Sequence, residues 1–253
     1  MCTARRQAPG AAARRPSAAA TMTSDELLAE QIAYYRARAP EYDHWWERTA
    51  QYTLEPELHA QWDSDKRHLT ALVDSWLAPF RGGRVLELAC GTGIWTSRLA
   101  GQFGEVVAVD TAPEAIAIAR AKLPRYANVR FVEADVFAWE ADTDFDVVFF
   151  SFWVSHVPPD RFAAFWSLVG SALAPGGRAI FVDNKPRDGV WPPNLLETDG
   201  FMEVRTDLSS GDVHRIVKIY YEPAEMEERL ASLDWQAQVT STNRFFVAGF
   251  AER

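Results

Sequence analysis

Between Arg84 and Asp183 five short apolar runs, "RVLELA", "EVVAVD", "VRFVEAD", "FDVVFFSF" and "GRAIFVD", alternate with segments of helical character. Strands that are apolar nearly throughout have no face to spare for water, so they predict a parallel sheet covered on both sides. The intervening "WTSRLAG", "PEAIAIARAKL" and "PDRFAAFWSLVGSAL" supply the crossover helices that parallel neighbours require. With two last strands read from "QAQVTSTNRFFVAGFAE", the expected class is α/β. It is a Rossmann-like, doubly wound, seven-stranded sheet, parallel except for the last strand, with helices on both faces.

The flanks carry other signals. Thr23 followed by Glu26 reads as a capping box, and Leu28, Ile32 and Tyr35 then recur at helical spacing until Pro40. "EYDHWWERTAQYTLEPE" is crowded with aromatics and lacks periodicity, and Trp45 and Trp46 cannot both face inward on a regular element. Leu69, Leu72, Val73, Trp76 and Leu77 predict a second helix ending near Pro79. "FMEVRTDLSSGDVHRIVKIYY" reads as a hairpin around a Ser-Ser-Gly turn, and "EPAEMEERLASLDW" as the helix after it. The expected organisation is a disordered tail over 1–22, an N-terminal helical lid over 23–80 and a cofactor-binding core over 81–183. An inserted substrate-side loop and hairpin over 184–222 follows, then the last helix and strands over 223–253.

Composition narrows the function. The 253 residues include ten Trp and fifteen Phe, enough for a sizeable core. No apolar run approaches the ~20 residues of a membrane span. The net charge is −9, and the first 22 residues hold four arginines and no acid, so the remainder carries 22 basic against 35 acidic residues. An acidic surface argues against a nucleic-acid partner and suits a small-molecule acceptor. The Arg-rich start fits a transit peptide, and equally an over-extended start or a cloning remnant with Met22 as the true beginning. Two cysteines give no disulfide framework, which points to a reducing, cytoplasmic setting. The five histidines show no metal-ligand spacing, so no metal is expected. A monomer or homodimer is expected.

Within "VLELACGTGIWT", Gly91 and Gly93 let the chain turn sharply at the carboxyl end of the first strand, where open α/β sheets bind cofactors. Asp110 ends the second strand, placed for a ribose diol. Three details separate a dinucleotide from other ligands. Thr96 stands where the dinucleotide fingerprint needs its third glycine. Glu87, inside the first strand, would repel a pyrophosphate but could help hold an ammonium group. Asp135 follows the third strand, within reach of an adenine amine. A ligand with a cationic amino-acid tail, a ribose and an adenine satisfies all three.

At these residues the chain resembles the class I S-adenosylmethionine-dependent methyltransferases. "ELACGTG" looks like their acidic glycine-rich loop, "VVAVD" their ribose strand and "VEADV" their adenine strand, with "DVVFFSFWVSHVP" and "LAPGGRAIFVD" next in order. Ala89 departs from the usual first glycine. The resemblance implies S-adenosyl-L-methionine as cofactor, with Ala89, Cys90, Gly91 and Gly93 near its methionine part and Asp110 with Thr111 at the ribose. Asp135 and Val136 would face the adenine and Ser151 the amino-acid end.

"YYRARAPEYDHWW" resembles, loosely, the lid segment of quinone and small-molecule members of that family. Tyr35 and Tyr42 would then close on the cofactor, and Tyr34 and Trp46 on the acceptor. His156, in "VSHVPPD", is the one candidate general base, with a structural role at the start of the next helix as the competing reading. The hairpin residues Arg205, His214, Arg215 and Tyr220 would select the acceptor, and their positive charge suggests an anionic one. The expected activity is methyl transfer to O, N or C of a quinone, phenol, carboxylate or secondary metabolite. A cofactor-binding enzyme of a non-methylating step, a non-catalytic partner subunit and a nicotinamide dehydrogenase remain as alternatives.

Overall fold

The computed structural model describes residues 22–141, 143–185, 194–206 and 210–253. The predicted disordered tail therefore lies outside the described residues but for Met22. Helix α1 (Ser24–Arg38) starts where the sequence places it: the Thr23 hydroxyl accepts the Glu26 amide at 3.3 Å and the Glu26 carboxylate accepts the Thr23 amide at 2.8 Å. Two donors that a helix start leaves without partners are thereby satisfied.

The aromatic segment then forms a short helix, α2 (Tyr42–Glu47), and α3 runs from Pro56 to Leu77. The chain enters α3 well before Leu69, the first apolar position of the predicted helix. Asp65 hides the earlier turns, because it sits on the buried face among Trp62, Leu69 and Val73. Its Oδ2 accepts the Thr242 hydroxyl and the Arg244 and Phe245 amides at 2.7–2.9 Å, so a far segment of chain makes the buried carboxylate tolerable. Trp46 is buried and Trp45 half-buried, each with aromatic partners, while His44 and Glu47 take the exposed side of α2.

The core follows as β1 (Arg84–Leu88), α4 (Thr96–Ala100), β2 (Glu105–Asp110), α5 (Pro113–Lys122), β3 (Val129–Glu133), β4 (Phe145–Ser151), α6 (Phe162–Ala172) and β5 (Leu173–Asn184). After it come β6 (Leu195–Asp199), β7 (Met202–Thr206), β8 (Val213–Val217), α7 (Pro223–Ala231), β9 (Gln236–Ser241) and β10 (Phe246–Glu252). The main sheet has the order β3-β2-β1-β4-β5-β10-β9. Strand β10 runs antiparallel between β5 and β9, and the other pairs among the first five strands are parallel. This is the expected doubly wound sheet with an antiparallel last strand.

Both faces are covered, as the apolar strands require. Phe150, Phe181, Phe165 and Trp166 meet Met226 and Leu230 on one side; on the other, Phe149, Val182 and Phe246 meet Leu69, Val73 and Leu77. In α6, Phe162, Phe165, Trp166 and Val169 recur at i, i+3, i+4 and i+7 and all are buried. Each such side chain contributes ~1.5–3 kcal/mol of burial.

The predicted hairpin is β7 paired antiparallel with β8, and its turn residues 207–209 lie outside the described residues. A third strand, β6, extends it to a separate three-stranded sheet. Helix α1 is stitched to β8: the Gln31 amide oxygen accepts the Val217 amide at 3.0 Å, and Arg215 pairs with Glu30 at 2.7 Å. Helix α1 and the hairpin are thus held to each other. Among the described residues no helix is long and apolar enough to cross a membrane.

Candidate functional site

The strand order reverses between β1 and β4, and ligands of open α/β sheets settle in the crevice at such a point. A cleft of about 870 Å³ opens there. Its floor is the backbone of Ala89, Gly91 and Thr92 after β1. One wall holds Asp110, Thr111 and Ala112 after β2 and Asp135, Val136 and Phe137 after β3. The other holds Ser151, Phe152, Trp153 and His156 after β4. Leu28, Gln31, Ile32 and Tyr35 of α1, with Ala39 and Tyr42, form the roof.

Asp110 is the best defined of these groups. One carboxylate oxygen accepts the Gly91 amide and the other the Ala112 amide, each at 2.8 Å. A carboxylate has about four acceptor sites, so roughly two remain for a ligand. Burial raises its pKa, opposed by those amide bonds. Asp135 accepts the Phe137 amide at 2.9 Å, which fixes the carboxylate beside Val136.

The glycines divide the work. Gly91 has φ +54 with open space where a Cβ would stand, so it leaves the floor bare. Gly93 has φ +79, and a Cβ there would come within 3.0 Å of Ala119 Cβ; this glycine serves the packing of α5. Ala89 also adopts a left-handed conformation, φ 53, where glycine carries no penalty. Ala89→Gly is expected to leave ligand binding intact and to stabilise the protein by ~0.5–1 kcal/mol, read as a higher urea midpoint at unchanged slope. A lower midpoint would show that the Ala89 methyl packs productively.

The N-terminal segment is pinned to this floor. The Thr92 hydroxyl donates to Asp43 of α2 at 2.6 Å, Lys122 pairs with Asp43, and Lys122 Nζ also donates to the Thr92 carbonyl at 2.8 Å. Gln31 donates to the His156 carbonyl at 3.2 Å. The Tyr35 hydroxyl lies 2.9 Å from His156 Nε2, and His156 Nδ1 lies 2.6 Å from the Val217 carbonyl. A carbonyl only accepts, so Nδ1 carries the proton and Nε2 takes the tyrosine's. Burial, then the charge of Lys218, holds the His156 pKa well below its ordinary value.

Of the residues singled out in the sequence, the cleft gathers Tyr35, Tyr42, Ala89, Gly91, Asp110, Thr111, Asp135, Val136, Ser151 and His156. Others fall elsewhere. Glu87 is 1% exposed under the loop, where it accepts the Thr96 hydroxyl at 2.6 Å, and it is not among the residues that line the cleft. Cys90 is buried, and burial pushes its thiol well above the ordinary range. Trp46 is core, packed on Trp62, Trp95 and Phe246. Tyr34 is fully buried and accepts the Asn194 amide at 2.8 Å, while the His214 ring packs against it, tilted, with ring centres 5.7 Å apart.

The hairpin cations do not face the cleft either. Arg205 is buried against Glu203, whose other oxygen accepts the Tyr220 hydroxyl at 3.1 Å, and Arg215 is held on the outer side of α1 by Glu30. Glu203 is two residues from Arg205 on the same strand, but Glu30 on α1 is a partner that the local sequence could not assign to Arg215. Leu28 and Ile32 went unnamed as site residues although they share the apolar face of α1 with Tyr35 at i, i+4 and i+7, and that spacing could have found them. Phe137 and Trp153 carried no signal.

Comparison with known proteins agrees with this geometry. Residues 85–177 match the model of a methyltransferase domain. The chain is 32% identical to an uncharacterized methyltransferase of Synechocystis sp. over 58% of its own length and 71% of the relative's. It is 35% identical to a demethylmenaquinone methyltransferase of Clavibacter sepedonicus, over 69% of this chain and 68% of that one. Among solved structures, DhpI in complexes with SAH and with SAM and HEP superposes with TM-score 0.72 at 37% identity, covering 91% of this chain and 98% of DhpI in the former. Relatives aligned over most of their length, and a cleft whose strand-end carboxylates and bare loop fit an adenosyl cofactor, lead to one assignment: the chain belongs to the class I S-adenosylmethionine-dependent methyltransferases.

Proposed function

We propose that the enzyme methylates an O, N or C atom of a small molecule, such as a quinone, phenol, carboxylate or other secondary metabolite, held under α1 beside residues 151–156. The observation that carries this reading is the convergence of Asp110, Asp135, the backbone of Ala89 and Gly91, and the rings of Tyr35 and Tyr42 on one cleft. Asp110 would take the ribose diol, Asp135 and Val136 the adenine, and Ala89, Gly91 and Ser151 the amino-acid end. The acidic surface supports a small acceptor over a nucleic acid.

Bound S-adenosylmethionine supplies an electrophilic methyl group on a sulfonium. The faces of Tyr35 and Tyr42 favour a cation beside them, and α1, tied down through Gln31 and Asp43, keeps water out. Alignment of this kind is worth up to ~7–11 kcal/mol. His156, with Nε2 taken by Tyr35 and Nδ1 by Val217, positions the tyrosine and is not free to act as the base proposed for it.

Calorimetric titration with S-adenosylhomocysteine, followed by a mass-spectrometric screen for products heavier by one methylene, tests the reading. Binding and a methylated product are expected. Binding with no methylated product from any acceptor class would favour a non-methylating step.

A further inference from the structure

Positive charge on the hairpin motivated an anionic acceptor, yet Arg205, Arg215 and Lys218 are neutralised by Glu203, Glu30 and Asp183. Two lid arginines are not. Arg38, 5% exposed at the end of α1, donates from Nε to the Tyr52 hydroxyl at 3.3 Å and lies 5.3–5.8 Å from the ring centres of Tyr34, Tyr42 and Tyr52. Arg48, 9% exposed, leaves α2 with φ 52 and turns its guanidinium inward, 3.5 Å from the ring centre of Trp62 and 5.4 Å from that of Trp45. Its Nε is buried without a hydrogen-bond partner. Among the described residues neither arginine has a carboxylate within ion-pair distance.

Buried charges are ordinarily paired, and removing or withholding a partner is costly. Aromatic faces offset part of that cost, but they leave Arg48 Nε without an acceptor. Burial, then the charge of Arg38, pushes Arg48 down to about 9, whereas Arg38, against its own burial, is held above its ordinary value by Tyr34, Tyr52 and Tyr35. Neither lines the cleft: Arg38 lies one side chain behind its wall and Arg48 two. Tyr42, under Arg38, lines the cleft, and Trp45, under Arg48, packs 4.9 Å from Phe152, which also lines it.

Resting on the methyltransferase reading above, we infer that Arg38 and Arg48 form a subsite for an oxyanion, which anchors the carboxylate or phosphoryl-type group of the small acceptor. Two planar forks suit bidentate contact with either group, and an anion between them would supply the missing countercharge. The tyrosine and tryptophan faces around the pair exclude water, which strengthens the contact. A neutral acceptor would leave the two charges without compensation in the liganded state.

The full chain is titrated with inorganic phosphate and, separately, acetate at constant ionic strength, with chloride as reference, following melting temperature and tryptophan emission. Phosphate or acetate is expected to raise the melting temperature and perturb the emission, because the Trp45 and Trp62 rings both lie against Arg48. Arg48→Met and Arg38→Met should each weaken this response by ~10-fold or more. Without anion, Arg48→Met should melt higher than the parent, the opposite of a structural arginine, since an uncompensated buried charge is gone. S-adenosylhomocysteine affinity of Arg48→Met should stay within about twofold, so that a lost anion response is not a lost cofactor cleft. Preference for phosphate or for acetate tells a phosphoryl-type group from a carboxylate, and either supports the subsite. The inference is overturned if the parent responds to neither anion beyond chloride, a result independent of how the variants fold, or if Arg48→Met keeps the full response. A parent that binds phosphate but not S-adenosylhomocysteine would leave the subsite standing and remove the methyltransferase reading beneath it.

Discussion

Replacing Asp110 with Ala is expected to weaken S-adenosylhomocysteine binding by ~100-fold, with Asp110→Asn falling between the two. The carboxylate sits at the end of β2 with each oxygen already accepting one backbone amide, from Gly91 and from Ala112, at 2.8 Å. Its remaining lone pairs face the cleft. Hydrogen bonds to a charged acceptor contribute ~1.5–3 kcal/mol each, and a diol offers two. Asn keeps one acceptor oxygen and turns the other into a donor that meets a backbone N–H, so it loses part of the binding and part of the loop geometry. Calorimetry measures the affinity, and thermal melting of the unliganded variants reports the stability lost with the two amide bonds. If Asp110→Asn bound the ligand as tightly as the parent, the ribose role would be wrong and the carboxylate would serve only to shape the loop.

Glu87→Gln should be far more stabilising at pH 9 than at pH 5. Burial, against the opposing Thr96 hydrogen bond and with help from the Asp110 charge, pushes Glu87 from its ordinary 4.5 up to about 8. Between those values the folded protein holds a proton that the unfolded chain has released. Stability from this group is full below about pH 4.5 and declines as pH rises through about 8. The accumulated loss is roughly 3–5 kcal/mol at 1.36 kcal/mol per pH unit. Gln has the same shape, accepts the Thr96 hydroxyl and never ionises, so the difference in melting temperature between variant and parent grows across the window. At ~2–4 °C per kcal/mol for a chain of this size, the growth is on the order of 10 °C. Groups common to both proteins cancel in the difference. A pH-independent difference would mean that Glu87 is ionised when folded.

The same residue shows where sequence reading ends. Glu87 lies in the family's acidic position ahead of the glycine loop, and the sequence suggested a direct contact with a cationic ligand. The strand places it beneath the loop, 1% exposed and outside the cleft lining, with the Thr96 hydroxyl on its carboxylate. Asp110, Asp135 and Ser151 were readable because a strand's end is visible in its own sequence, and the carboxyl ends of parallel strands share one edge of the sheet. Arg205 was misread although Glu203, two residues back on β7, shares its face of the strand, whereas Arg215 was misread because its partner, Glu30, lies on α1 and is set by how α1 packs on β8.

Local pattern alone was enough for the alternation of buried strands and helices, the capping box at Thr23, the floor of the cleft and the antiparallel last strand, since each depends on residues close together in the chain. The tertiary structure alone decided what burial does to charge. Asp65 became a core residue through amides of the segment 242–245, His156 lost its free nitrogen to Tyr35, and Arg38 and Arg48 were enclosed by aromatic rings with no acid beside them. The reason is physical: hydrophobic periodicity is a property of neighbours along the chain, whereas the cost and the compensation of a buried charge depend on groups that only folding brings together.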